Sequence, residues 1–112
     1  GGGSIVNIAS VAGIRGLGSS IAYAASKGGM ITMTKSLAMA FAPTIRVNAV
    51  APGPVDTRWL APHKDMMASQ LAATPLARAS SPQDIATVAV FLALDAAMMT
   101  GQCVVVDGGR TI

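Results

Sequence analysis

The chain has 112 residues, enough for one modest domain, and 52% of them are hydrophobic, which excludes an intrinsically disordered class. The net charge of +3 is spread along the chain and only 4% of the residues are aromatic, so nothing favours a nucleic-acid-binding surface. No run of about 18 apolar residues is present, so no membrane span is expected.

The first predicted element is a short, β-branched strand from Ile5 to Ala9. It ends at Ser10, a serine placed directly after an apolar run. Glycines at positions 13, 16 and 18 follow and predict a loop before the next element.

The second element is a long helix over residues 21–41, in which Tyr23 and Lys27 are four residues apart and share a face. The helical period places both on one stripe that should face a core, together with Met30, Thr34, Leu37 and Phe41. A lysine in such a stripe needs a partner, because an ammonium loses its hydration when it is buried. The alternative is that the first turn protrudes beyond the sheet and that both side chains are wetted.

Predicted strands and helices also alternate in the rest of the chain. A strand from Arg46 to Val50 is followed by an irregular region over residues 58–80, which could cover a pocket or form surface helices. A helix capped by Ser81 should end near Asp95, and a last strand should run from Cys103 to Val106. Strands alternating with helices predict an α/β fold with a parallel sheet and right-handed crossovers.

Cysteine and histidine, the residue types that usually bind metals, each occur once and do not form a cluster. Cys103 is the single cysteine and lies within a predicted strand, which favours a small buried hydrophobe over a reactive thiol. His63 is the single histidine and stands among Pro62, Lys64 and Asp65 without a second ligand. We therefore expect no metal site.

Four ordered signals together resemble the short-chain dehydrogenase/reductase family. They are a strand that ends in Ser10, the Tyr23-x-x-x-Lys27 pair, the run from Ile45 to Thr57 with its Pro-Gly turn, and the tail from Thr100 to Gly109. The resemblance implies the C-terminal half of a doubly wound parallel-sheet fold of the Rossmann type. Residues 1–112 would form a single partial domain that lacks the dinucleotide-binding half.

The same resemblance implies an oxidoreductase that interconverts a carbonyl and an alcohol. Tyr23 would donate or accept the proton, and Ser10 would orient the substrate oxygen. Lys27 would lower the pKa of the phenol, whose ordinary value of about 10 makes it a poor proton shuttle at neutral pH. Hydride transfer would be left to the cofactor.

The cofactor implied by the resemblance is NAD or NADP, with no preference visible in the sequence. Tyr23 and Lys27 would lie beside the nicotinamide ribose, which Lys27 would bind. The Pro52-Gly53 turn would shape the nicotinamide site, and Val55 and Thr57 would contact the carboxamide. The small-molecule substrate is not identified.

The absent half of the fold leads to further expectations. The strand at Ile5 to Ala9 would present an unpaired edge, so a non-catalytic truncated remnant is the alternative function. Gly28 and Gly29 lie inside the long helix and suggest close approach of another helix. The resemblance implies that the Tyr23 to Phe41 helix packs in a subunit interface, so a homo-oligomer through this helix is expected. A cytoplasmic location is expected because no export signal is seen and because the family is typically cytoplasmic.

Overall fold

A three-stranded parallel sheet forms the centre of the molecule. The structure, a computed structural model, describes residues 2–56 and 64–112. Its strands are β1 (Gly3–Ile8), β2 (Ile45–Pro52) and β3 (Cys103–Val106), in the spatial order β1-β2-β3. Both pairings are parallel, which confirms the predicted α/β class and the three predicted strands.

In the described part of the chain, four helices connect or flank the strands. They are α1 (Ala12–Arg15), α2 (Ile21–Phe41), α3 (Lys64–Ala72) and α4 (Pro82–Leu94). The bounds of α2 are those predicted from the sequence, and α4 ends at the predicted C-cap, Asp95. The short helix α1 was not predicted, because the glycines that surround it indicated only a loop.

The alternation of side chains along the strands separates two layers. Asn7 of β1 reaches α2, where its side chain contacts Thr34. Ser4 of the same strand reaches α4, where its hydroxyl donates to the carbonyl of Leu92 at 3.4 Å. Since Asn7 and Ser4 have opposite parity along the strand, α2 and α4 cover opposite faces of the sheet. We call these the α2 face and the α4 face.

The α4 face contains the apolar cluster of Val50, Leu92 and Ala96, with Val6, Ile85 and other partly buried hydrophobic residues around it. Helix α4 begins as predicted from its sequence. The Ser81 hydroxyl accepts from the backbone N–H of Asp84, and the Asp84 carboxylate accepts from the backbone N–H of Ser81. This reciprocal capping box satisfies two backbone donors at the start of the helix.

The α2 face is filled by smaller side chains, and the predicted inward stripe of α2 is partly wrong. The helix buries Ala24, Thr34 and Ala38, whereas Tyr23 and Phe41 are each 39% exposed. Only small residues allow the helix to lie close to β2, whose inward side chains on this face are Val47, Ala49 and Ala51. The helix is therefore turned so that alanines, rather than aromatic rings, face the sheet.

Strand β1 lies at an edge of the sheet, as the sequence predicted. The backbone N–H groups of Gly3 and Ala9 donate to carbonyls of the β2 chain, those of Thr44 and Val50. In a parallel strand, alternate residues direct their backbone groups to opposite sides, so Ser4, Val6 and Ile8 direct theirs away from β2. Within residues 2–56 and 64–112 no strand pairs with that outer side.

None of the helices in the described part of the chain combines the length and the apolar character that crossing a membrane requires.

Candidate active site

Two strand ends and one helix start meet at one edge of the sheet. Ser10 lies two residues beyond Ile8, the last residue of β1, and the backbone N–H of Val11 donates to the carbonyl of Pro52, the last residue of β2, at 3.0 Å. The Ser10 hydroxyl accepts from the backbone N–H of Ala12 at 3.1 Å. Its own proton is thus available for another acceptor. The carboxyl edge of a parallel sheet is where ligands bind in open α/β folds.

Helix α1 lies directly against the backbone of α2 at Lys27. A Cβ atom added to Gly13 would be 2.5 Å from both the carbonyl carbon of Lys27 and the nitrogen of Gly28. Such separations are too short for any side chain, so glycine at position 13 permits this approach. Gly28 therefore packs against Gly13 of the same chain. Of the two glycines that suggested a contact with another subunit, only Gly29 remains available for one. Gly29 has no atom within 4 Å of an added Cβ.

Tyr23 and Lys27 lie side by side, as their spacing predicted. The Lys27 ammonium lies 5.7 Å from the centre of the Tyr23 ring, within the range of a cation–π contact. The ring is 39% exposed, so part of it faces solvent. Gly18 borders the ring, since a Cβ added there would be 3.4 Å from its Cδ1 atom. The interpretation of Tyr23 as a wetted residue at the helix start is correct.

The partner expected for Lys27 is a backbone carbonyl. Its Nζ atom donates to the carbonyl oxygen of Ile8 at 3.0 Å, two residues before Ser10. That carbonyl belongs to the outer side of β1, so the ammonium occupies an acceptor that no strand of the described chain uses. An ammonium has three donors, and one bond to Ile8 leaves two for other acceptors.

The turn after β2 brings a backbone amide to the same edge. Val55 forms a parallel bridge with Ser80, in which Ser80 donates to Pro54 and Asp56 donates to Ser80. The N–H and C=O of Val55 itself therefore have no partner among residues 2–56 and 64–112. One free donor beside one free acceptor matches the hydrogen-bonding groups of a carboxamide.

The remaining predicted cofactor residues fall at the same turn. Pro52 is buried at the end of β2, and the N–H of Gly53 donates to the carbonyl of Val106 at 3.0 Å. A Cβ added to Gly53 would lie 2.8 Å from the Cβ of Asp107, so only glycine fits here. Thr57 lies outside the described residues. Asp107 itself forms a turn by accepting from the N–H groups of Gly109 and Thr111.

The two asparagines of the sheet contact different kinds of group. Asn48 bonds backbone groups, donating to the carbonyl of Met99 and accepting from the N–H of Gln102. Asn7 instead donates to the hydroxyl of Thr34 at 3.0 Å. The signal that could have revealed this contact is a threonine within the apolar stripe of a helix, since a buried hydroxyl requires a partner.

Cys103 is partly buried in β3, in agreement with its interpretation as a small hydrophobe. Burial raises the pKa of its thiol, and the charge of Lys35 offsets only part of this effect. The thiol is consequently protonated at neutral pH, which is unfavourable for a nucleophile.

The chain matches known proteins over nearly its whole length. The profile of the Enoyl-(Acyl carrier protein) reductase family matches residues 1–111. A short-chain dehydrogenase/reductase homolog of Bacillus subtilis is 44% identical over 110 residues, which is 98% of this chain and 84% of that protein. A 3-oxoacyl-(acyl-carrier-protein) reductase of Thermotoga maritima is 46% identical over 114 residues, which is 98% of this chain and 46% of that protein.

A solved structure shares the fold and contains a dinucleotide. It is a 3-oxoacyl-(acyl-carrier protein) reductase with bound NAD from Brucella melitensis, which superposes with a TM-score of 0.82 at 40% identity. The match covers 95% of this chain and 40% of that one. The chain belongs to the short-chain dehydrogenase/reductase family, a family of oxidoreductases with Rossmann-type folds. It spans less than half the length of most of the relatives that it matches.

Proposed function

We propose that this chain supplies the proton-transfer half of the active site of an NAD(P)-dependent oxidoreductase that interconverts a carbonyl and an alcohol. Tyr23 transfers the proton to or from the substrate oxygen, and Ser10 donates a hydrogen bond to that oxygen. Lys27 places a positive charge beside the Tyr23 ring. The observation that carries the proposal is the placement of the Lys27 ammonium 5.7 Å from the Tyr23 ring, at the sheet edge where Ser10 lies just beyond β1.

The described residues also fit the nicotinamide end of a dinucleotide. Lys27 has two donors beyond its bond to Ile8, and these suit ribose hydroxyls. Val55 offers a backbone N–H and C=O without partners among the described residues, and these suit a carboxamide. When bound, the cofactor would supply or accept the hydride. The turn at Pro52 and Gly53 and the hydroxyl of Thr57 complete the set of residues that we propose for this site.

The decisive experiment uses a hybrid enzyme, in which this chain replaces the segment that it matches in the Thermotoga maritima reductase. Turnover is followed by the loss of NADH or NADPH absorbance with a 3-oxoacyl substrate, the class in that relative's name. We expect Tyr23→Phe, which removes only the phenol hydroxyl, to lower kcat by about 10²- to 10⁴-fold. Ser19→Ala removes an exposed hydroxyl just before the same helix and should leave kcat unchanged. Retention of most turnover by Tyr23→Phe would exclude Tyr23 as the proton donor.

A second candidate is supported by the outer side of β1, with which no strand of the described residues pairs. In this alternative the chain is a non-catalytic remnant, which folds or associates without turnover. Titrating the 112-residue chain with NADH and NADPH, followed by cofactor fluorescence, tests whether it holds a dinucleotide alone. We expect no binding in the micromolar range, because these residues supply only the nicotinamide end. Micromolar binding, or turnover by the chain alone, would contradict that expectation and the remnant hypothesis.

We also propose that the chain self-associates through the outward side of α2. Ala25, Gly29 and Met39 lie there and are exposed, and Gly29 leaves room for a neighbouring helix. Gly29→Glu should shift the sedimentation of the hybrid toward a smaller species, because a charged side chain would block the contact. Gln83→Glu adds the same charge on the exposed surface of α4 and should not. An unchanged distribution in Gly29→Glu would remove α2 as the interface.

A further inference from the structure

Among the described residues, one hydrogen bond between two side chains links β1 to α2. The Asn7 amide donates to the Thr34 hydroxyl at 3.0 Å, and that hydroxyl donates to the carbonyl of Met30 at 2.9 Å. Thr34 is 1% exposed, so the bond is shielded from water. Within residues 2–56 and 64–112, the only other hydrogen bond between two side chains joins Arg78 and Asp84 at the surface.

A polar pair is unexpected in this layer. The other side chains that α2 buries are alanines, and the facing residues of β2 are Val47, Ala49 and Ala51. Small apolar surfaces of this kind resist separation but offer little resistance to sliding along the helix axis. A hydrogen bond differs because its energy falls steeply with distance and angle. The Asn7–Thr34 bond therefore defines the height of α2 relative to β1, that is, the position of the helix along its own axis.

The distances along the two elements show what that height controls. From Asn7 to Ser10 the extended chain advances three residues, or about 10 Å. From Thr34 back to Lys27 the helix covers seven residues, or about 10.5 Å, in the same direction. The two lengths agree, so bonding Asn7 to Thr34 places Lys27 level with Ser10. Tyr23, four residues or about 6 Å further along α2, then lies beyond the end of the strand.

A second contact joins the same two elements next to the first. Lys27 donates to the carbonyl of Ile8, the residue after Asn7. This contact is made by a flexible side chain at the exposed edge of the sheet and by itself leaves the height of the helix adjustable. The hydrogen bond between Asn7 and Thr34, which lies further from the exposed edge, is less easily displaced. The height of Lys27 is thus set from within the core rather than at the surface.

We propose that Asn7 and Thr34 act as a register pin, a pair of positioning residues that hold Lys27 level with Ser10 and Tyr23 one helical turn beyond it. The register pin rests on the proposed function only for its catalytic consequence. Its structural consequence, the position of the Lys27 ammonium on the Ile8 carbonyl, can be measured without turnover.

The test compares the acetylation rates of two lysines of the 112-residue chain, read by mass spectrometry after brief exposure to acetic anhydride. Lys35 lies exposed on the same helix and is the internal reference. Thr34→Val keeps the shape of the side chain but removes the hydroxyl, and it should raise the Lys27 rate about fivefold relative to Lys35. Thr34→Ser restores the hydroxyl and should return the ratio to that of the unmodified chain.

Three results would overturn the register pin. The first is an unchanged Lys27 rate in a folded Thr34→Val chain. The second is an equal rise for Lys27 and Lys35, which would indicate general loosening. If Thr34→Val does not fold, Asn7→Ala removes the donor from the other side and is judged by the same ratio. Loss of folding in both variants is the third result, because the pair would then be required for the fold itself.

The hybrid enzyme separates this proposal from the proposed function. Thr34→Val should lower kcat about tenfold with little change in substrate KM, and Thr34→Ser should recover most of it. If Tyr23→Phe retains activity while the acetylation ratio responds as expected, the proposed function fails and the register pin stands. If Tyr23→Phe is inactive while the ratio is unchanged in Thr34→Val, the register pin fails alone.

Discussion

The two faces of the sheet are stabilised in different ways. On the α4 face, Leu92 and Val50 are fully buried and surrounded by partly buried aliphatic side chains. On the α2 face, the buried side chains are mostly alanines, and close contact depends on Gly13 and on the bond between Asn7 and Thr34. Apolar volume stabilises the first face, whereas backbone proximity and directed bonds define the second.

The difference indicates where stability and geometry reside. Burial of large aliphatic groups contributes free energy roughly in proportion to area and tolerates small shifts. Glycine contacts and hydrogen bonds contribute less free energy, but they fail when the helix moves by a fraction of an ångström. The proposed catalytic residues Tyr23 and Lys27 lie on the second face. Mutations on the two faces should therefore separate stability from turnover, as measured in the hybrid enzyme.

The largest effect on stability is expected from Leu92→Ala on the α4 face. Leu92 is fully buried, so the substitution should lower the free energy of unfolding by about 2–5 kcal/mol, as measured by urea denaturation. The kcat of the folded fraction should change little. Leu94→Ala on the same helix, where the side chain is 76% exposed, should cost far less. A large loss of kcat in folded Leu92→Ala would show that the faces are not independent.

Gly13→Ala on the α2 face should affect turnover more than stability. The added methyl would lie 2.5 Å from the backbone of Lys27 and would push α1 away, at a cost of about 1–3 kcal/mol. Because this shift occurs next to Lys27, kcat should fall by more than the loss of stability explains.

The matched control for Gly13→Ala is Gly3→Ala. An added Cβ at Gly3 meets no atom within 4 Å, and the position is exposed at the start of β1. This variant should be as active and as stable as the unmodified protein. If Gly13→Ala kept full turnover, the close approach of α1 would have no role in placing Lys27.

Ser81→Ala should produce a smaller effect, confined to the α4 face. The hydroxyl caps α4 by accepting from the N–H of Asp84 at 3.1 Å, and its loss should lower the free energy of unfolding by about 1 kcal/mol. Ser36→Ala, at an exposed position of α2, is the control and should not destabilise the protein. A change in kcat in Ser81→Ala would argue against a purely stabilising role for this face.

The smallest effect is a pH dependence at the same cap. A hydrogen bond from Arg78, followed by one from the Ser81 backbone, lowers the pKa of Asp84 to about 2. Since an unfolded aspartate titrates near pH ~4, the stabilisation is complete above that value and is lost as the pH falls toward 2. The Arg78–Asp84 pair, 2.8 Å apart, is largely exposed, so the effect should be modest.

The measurement for this prediction is the stability difference between the unmodified hybrid and Asp84→Asn, followed from pH 5 to pH ~2 by urea denaturation. The difference should shrink as the pH falls. A difference that stays constant over this interval would contradict the lowered pKa of Asp84.

Much of the fold follows from local patterns in the sequence. The limits of α2 at Ile21 and Phe41, and the capping of α4 by Ser81, are set by periodicity and by cap chemistry within a few residues. The parallel sheet follows from the alternation of strands and helices. The adjacency of Tyr23 and Lys27 also follows, because a helix places residues i and i+4 together wherever it packs.

Other features depend on contacts between distant segments. The rotation of α2, which exposes Tyr23 and buries Ala24, depends on the small side chains that β2 presents. The partner of Lys27 is the carbonyl of Ile8, a backbone group that no residue pattern identifies. The use of Gly28 depends on Gly13, fifteen residues earlier in a segment predicted only as a loop.

The sequence by itself determined that a phenol and an ammonium lie together on a helix that follows a strand ending in serine. The tertiary structure decided where that helix stands against the strand, through Asn7 and Thr34. The physical reason is that helical periodicity specifies which residues share a face, but not its height or its rotation against another element. Those two quantities depend on the surfaces of both elements, and these meet only in the folded chain.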